Sequence, residues 1–190
     1  MSSILSQRNI PNFLTIGRIL LVIPIAVSIC LEDFRQALWL FLIAGVSDGV
    51  DGFLARKFEW KSRFGSIADP LADKLLLVTS FVVLTYIGLI DYWLALLVLG
   101  RDLIILLGAW SYHLLFGRYE IRPSRLGKLS TLCQILYVLL VVLVAAGWPM
   151  PEEAVYWGRY IVAFLAVISV AGYMWLWGMK AYERYQGGVL

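Results

Sequence analysis

Long apolar runs, rather than any alternation of apolar and polar positions, constrain this chain most. Between Tyr92 and Phe116 the only charged residues are Arg101 and Asp102, and between Trp157 and Met179 the only one is Arg159. Runs of about 20 such residues are what a helix needs to cross a bilayer. A transmembrane β-barrel would instead alternate apolar and polar residues along each strand. The chain is 61% hydrophobic and 15% charged over 190 residues, too little polar surface to cover a water-soluble domain of that size. The expectation is an all-α integral membrane protein, a single domain over residues 1–190, with six transmembrane helices. The spans fall at about Pro11–Leu31, Gln36–Leu54, Leu71–Ile90, Tyr92–Phe116, Lys128–Gly147 and Trp157–Met179. Arg18 and Pro24 interrupt the first run, which is therefore read as a retained span and not as a cleaved signal peptide.

Basic residues orient the six spans. Arg8, Arg56, Lys57, Lys61, Arg63, Lys74, Arg118, Arg122, Arg125, Lys128, Lys180 and Arg184 fall on one side, and only Arg35 and Arg159 on the other. The positive-inside rule then makes both termini cytoplasmic. Glu32, Asp33, Asp91, Glu152 and Glu153 all lie opposite. The net charge of +3 thus reflects a basic inner face suited to lipid headgroups and phosphates, and the chain carries no nucleic-acid module. Cys30 and Cys133 lie in different apolar segments without metal-ligand spacing, so they read as packing residues, and His113 has no assigned role.

The informative stretch is Ser47–Lys74. Asp48 and Asp51 end one apolar span, and Asp69 and Asp73 begin the next. Spacings of three and four put each pair on one helix face, and an antiparallel turn between the helices would bring all four to one depth. A carboxylate at the centre of a membrane helix costs roughly 2.5–3.5 kcal/mol, less near the interface. Four together repel one another, so positive charge must offset them. The neighbouring Lys and Arg residues are mostly in loops, whereas divalent cations would do so directly. Oxygen-only ligands suit Mg²⁺, Mn²⁺ or Ca²⁺ and argue against zinc. A divalent-cation transporter could also hold such carboxylates, but it would want them near the midplane and often within an inverted repeat.

The same residues fill a pattern of Asp, two residues, Asp-Gly, two residues, Ala-Arg, eight residues, Gly, three residues, Asp, three residues, Asp. Here these are Asp48, Asp51, Gly52, Ala55, Arg56, Gly65, Asp69 and Asp73. The stretch resembles the signature of the CDP-alcohol phosphotransferase family, without departure in type or spacing. The resemblance implies a six-helix membrane enzyme, commonly homodimeric, with a polar cavity facing the cytoplasm. It implies that Asp48, Asp51, Asp69 and Asp73 hold two metal ions, Mg²⁺ or Mn²⁺, and that Asp73 also acts as general base. Gly52, Ala55, Arg56 and Gly65 would lie against the CMP portion of the donor, CDP-diacylglycerol. Glycines allow close approach, and Arg56 offers a bidentate phosphate contact.

The acceptor would be an anionic glycerol-based alcohol. Asn9–Thr15, Asp69–Lys74 and Gly100–Asp102 resemble the branch containing phosphatidylglycerophosphate and cardiolipin synthases. Glu32-Asp33-Phe34, Arg101-Asp102 and Pro123-Ser124 lean toward the cardiolipin type, with phosphatidylglycerol as acceptor and glycerol 3-phosphate as the alternative. Arg18, Arg122, Arg125 and Lys128 are the candidates for holding it. Arg18 can equally snorkel to headgroups, and Arg101-Asp102 reads first as an internal ion pair. The chain shows no mitochondrial targeting segment, which points to a bacterial inner membrane with the site facing the cytoplasm.

Overall fold

A computed structural model describes residues 10–58, 63–116 and 125–186. Within these residues six helices follow one another: α1 Ile10–Cys30, α2 Phe34–Lys57, α3 Arg63–Tyr86, α4 Tyr92–Phe116, α5 Arg125–Ala145 and α6 Glu152–Gln186. Among the described residues there is no strand. Among the described residues two stretches, Arg125–Ala145 and Glu153–Leu176, are long and apolar enough to cross a membrane, and Thr15–Cys30 is a shorter apolar helix.

Several helix ends also differ from expectation. α3 begins at Arg63, not Leu71, so Asp69 and Asp73 sit in its second and third turns instead of opening it. α6 runs for 35 residues, beyond the expected Trp157–Met179 at both ends. Hydropathy marks where side chains become apolar; backbone hydrogen bonding continues into flanking polar residues.

Three connections share one turn geometry. After α1 the Asp33 amide donates to the Ser28 carbonyl, after α3 Leu89 donates to Leu84, and after α5 Trp148 donates to Leu143, at 2.9, 2.9 and 3.2 Å. Such turns require a left-handed residue, which is Gly88 at φ 82° and Gly147 at φ 81° in two of them. In the third it is Glu32, at φ 58°, a conformation less natural to a residue with a Cβ. Asp33 then caps α2, its Oδ1 accepting from the Gln36 amide at 3.1 Å.

The chain divides into two compact units. The first holds α1, α2, α3 and residues 138–150, and the second holds α4, residues 125–137 and α6. In the first, α1 packs on both α2 and α3. Val22, Ile25 and Ile29 of α1 are buried, as are the small residues Ala37 and Ala44 of α2 and Ala72 of α3. Small side chains let helix backbones approach closely, the usual device of helix contacts in lipid. In the second, α4 packs on α6 around Leu94, Val98, Val162 and Ala166. Hydroxyls turn back into their own helices: Ser28 donates to the Pro24 carbonyl, Ser47 to Ile43 and Ser80 to Leu76, at 2.7–2.8 Å. These groups therefore need no water. Cys30, expected to pack, is exposed, while Cys133 is partly buried.

Candidate functional site

The acidic residues converge on α1. Arg18 is two turns into that helix and only 1% exposed. One of its nitrogens, Nη1, lies 2.7 Å from Asp48 Oδ1 of α2 and donates to Asp73 Oδ1 of α3 at 2.8 Å. One turn away, the Thr15 hydroxyl donates to Asp69 Oδ1 at 2.5 Å. Thr15 and Arg18 are three residues apart and share a face of α1. That face receives carboxylates from both neighbouring helices.

Burial is uneven. Arg18 is enclosed, but the Asp48 and Asp73 side chains are 51% and 52% exposed. The cluster is a buried cation under an open layer of carboxylate, a shape a ligand can reach. Arg18 does not snorkel: its guanidinium supplies part of the positive charge that the loop-bound Lys and Arg residues could not. The missed signal was the shared helix face of Thr15 and Arg18, opposite two acidic helices.

Asp51, Gly52, Ala55 and Arg56 lie on α2 and Gly65 on α3, but the placement of their side chains falls outside the described residues, as Arg122 does altogether. Arg125 and Lys128 belong to the second unit, at the exposed start of α5. Lys128 lines a cavity of about 390 Å³ with Arg101, Thr131 and Tyr173. Arg101 is buried and ion-paired with Asp102 at 2.7 Å. Its Nη2 also donates to the Gly127 carbonyl at 3.2 Å and to Ser169 Oγ at 2.9 Å. The internal network expected of this pair is present.

Among the described residues, no three carboxylate, thiol or imidazole groups form a ready ligand cage. The donor chemistry nevertheless fits a hard divalent cation, since carboxylates from two helices already share one cationic nitrogen and a third stands on the same face of α1.

Comparison with known proteins decides the kinship. The family model described as CDP-alcohol phosphatidyltransferase matches residues 8–176. The chain belongs to the CDP-alcohol phosphatidyltransferase family. Among similar members is the CDP-diacylglycerol--glycerol-3-phosphate 3-phosphatidyltransferase of Rickettsia typhi, 31% identical over 185 residues, covering 93% of this chain and 99% of the relative. The protein of the same name from Escherichia coli (strain K12) is 33% identical over 184 residues, covering 93% of each. The cardiolipin synthase (CMP-forming) of Rattus norvegicus is 33% identical over 146 residues, covering 68% of this chain and 48% of that protein. The family match spans both units, and the carboxylate cluster lies within it.

Proposed function

We propose that this family member is an integral membrane enzyme that transfers the phosphatidyl group of CDP-diacylglycerol to glycerol 3-phosphate, releasing CMP. The observation that carries the acceptor is coverage. Relatives named for glycerol 3-phosphate align along nearly their whole length, whereas the cardiolipin synthase shares about half of its own. The lean toward phosphatidylglycerol, drawn from a few short motifs, gives way to this.

The chemistry follows from the cluster. Asp48, Asp51, Asp69 and Asp73 would hold Mg²⁺ or Mn²⁺, two ions in a full site. Bound there, the metal supplies charge that orients the diphosphate and stabilises the departing CMP oxygen. The acceptor hydroxyl oxygen bonds to the phosphorus that carries diacylglycerol, the bond from that phosphorus to the CMP oxygen breaks, and the hydroxyl proton passes to Asp73. Half exposed, Asp73 is reachable by an acceptor. Arg56 would hold donor phosphate while Gly52, Ala55 and Gly65 let the nucleotide approach. Arg122, Arg125 and Lys128 stay candidates for the acceptor's phosphate on their charge alone. Arg18 acts as the resident counter-charge of Asp48 and Asp73, a role more closely tied to the carboxylates than acceptor binding.

The membrane setting is part of the proposal: six spans, both termini on the basic cytoplasmic side of a bacterial inner membrane, and a homodimer. Its support is the wealth of large apolar side chains facing outward, such as Leu96 at 72% exposed. The test supplies purified protein with CDP-diacylglycerol and Mg²⁺ or Mn²⁺, offers glycerol 3-phosphate and phosphatidylglycerol separately, and weighs the lipid product. Phosphatidylglycerophosphate and CMP are expected, with chelation abolishing both. Cardiolipin as the sole product would reverse the acceptor, and full activity in chelator would remove the metal.

A further inference from the structure

Within the first unit, α2 from Arg35 to Val46 and the chain from Leu139 to Pro149 border an open groove of about 850 Å³. Packed protein leaves few voids larger than a water molecule. A space this size lies in the range of about 300–1,000 Å³ typical of small-molecule sites. Its walls are apolar, with Leu38, Leu42, Val46, Leu139 and Leu143 along the helices. Trp39 is 67% exposed and Trp148 is 59% exposed. Among the lining residues Arg35 alone is charged.

Arg35 stands at one end of the groove, one residue into α2, and the turn before it carries Glu32 and Asp33. Both acids are exposed and precede Arg35 in the chain, outside the groove's own lining, and Asp33 also caps α2. Arg35 is 13 positions from Asp48 on the same helix, which at 1.5 Å per residue is about 20 Å along the axis. A headgroup on Arg35 is therefore too far along α2 to be the one engaged at the aspartates.

We propose that the groove holds one zwitterionic phospholipid of the ethanolamine type, distinct from the donor. Its phosphate sits on the Arg35 guanidinium, its ammonium faces Glu32 and Asp33, and an acyl chain lies along α2 between the tryptophans. Arginine favours phosphate through parallel N–H donors, and tryptophan suits the boundary between headgroup and chain. A net-negative headgroup would meet the acidic pair unfavourably.

Gly45 provides a probe. It lines the groove, and a Cβ built there meets nothing within 4 Å. Gly45→Leu should narrow the channel, since its Cβ enters open space. The experiment measures lipid retained by the purified protein, by native mass spectrometry after incubation with dioleoylphosphatidylethanolamine, dioleoylphosphatidylglycerol or dioleoylglycerol. One phosphatidylethanolamine should stay bound, and both Arg35→Gln and Gly45→Leu should cut its retention at least tenfold. The KM for CDP-diacylglycerol should stay within twofold in both variants. Equal retention of dioleoylglycerol would remove the phosphate contact, and preference for phosphatidylglycerol would overturn the headgroup assignment. Unchanged retention in both variants would eliminate the groove as the site. A raised donor KM in Gly45→Leu would give the groove to the donor's chain, and loss of a dimer with lipid retention intact would give it to a second copy.

Discussion

Arg18 and Arg101 are both buried arginines paired with aspartate, yet their surroundings make them different devices. Arg101 meets Asp102 with both side chains enclosed, at 6% and 8% exposure. It uses its remaining donors on Gly127 and Ser169, tying α4 to α5 and α6. Arg18 is as deeply enclosed, but both carboxylates it meets are half open. A closed pair fixes helices and keeps its acid shut away; an open one leaves carboxylate oxygens accessible to metal and substrate. Exposure of the acid, rather than burial of the base, separates the site from the scaffold.

The largest effect expected from that contrast is on turnover. Asp73→Asn removes the proton acceptor and should lower CMP release by about 10²–10⁴-fold, the usual worth of general base catalysis. Asp48→Asn and Asp69→Asn should be as damaging while also weakening Mn²⁺ binding, with helix content by circular dichroism unchanged in all three. Asp102→Asn should leave the folded fraction active within about tenfold, since its partner Arg101 serves to hold α4, α5 and α6 together. Near-native turnover in Asp73→Asn would erase the distinction between open and closed pairs.

The convergence of Asp48, Asp69 and Asp73 on α1 was legible because spacing and membrane cost are both one-dimensional properties of the chain, while the Asp51 side chain lies outside the described residues. Asp48 and Asp73 being drawn together follows from the same electrostatics. The identity of the cation that joins them was not legible, because Arg18 lies 30 residues before Asp48 and nothing local to the acidic segment points to it. The same holds for Ser169 and Gly127, whose meeting with Arg101 depends on how α4, α5 and α6 pack. Four of the helix starts lay within three residues of expectation. Those of α3 and α6 did not: α3 opens on Arg63, Ser66 and Asp69 mixed with apolar residues ahead of Pro70, and α6 opens on Glu152 and Glu153, so hydropathy places both starts late.

Stability should rank next. Arg101→Met leaves Asp102 enclosed without its partner and should cost about 3–5 kcal/mol, as breaking one side of a buried pair does. Adding Asp102→Leu should return much of that, because two apolar groups need no compensation. Chemical unfolding in detergent, read as a double-mutant cycle, measures both. Failure of the second change to restore stability would mean that Arg101 acts mainly through Gly127 and Ser169.

Arg18→Gln should cost less, about 1–3 kcal/mol for the lost charged hydrogen bonds, because water can reach the two acids it leaves behind. It should also change the response to metal. With the resident guanidinium gone, Mn²⁺ becomes the main source of positive charge between Asp48 and Asp73, so its thermal stabilisation should exceed that in the unaltered protein. An equal or smaller metal-induced shift in melting temperature would show that Arg18 and metal occupy separate places.

A third pair gives the smallest effect and the sharpest calibration. Arg159 Nη1 donates to Asp91 Oδ2 at 2.7 Å, but the side chains are 27% and 42% exposed. Its guanidinium also lies 5.0 Å from the Tyr156 ring centre, beside the edge-on pairs of Tyr156 with Trp157 and Tyr160. Solvent screening limits such a pair to about 0–1 kcal/mol. Asp91→Asn should therefore shift the unfolding midpoint barely beyond error and leave CMP release alone. Its geometry is as short as those of the other two pairs, so a loss comparable to that of Arg101→Met would mean that enclosure by this aromatic cluster, and not the exposure of the acid, governs what an ion pair is worth in this fold.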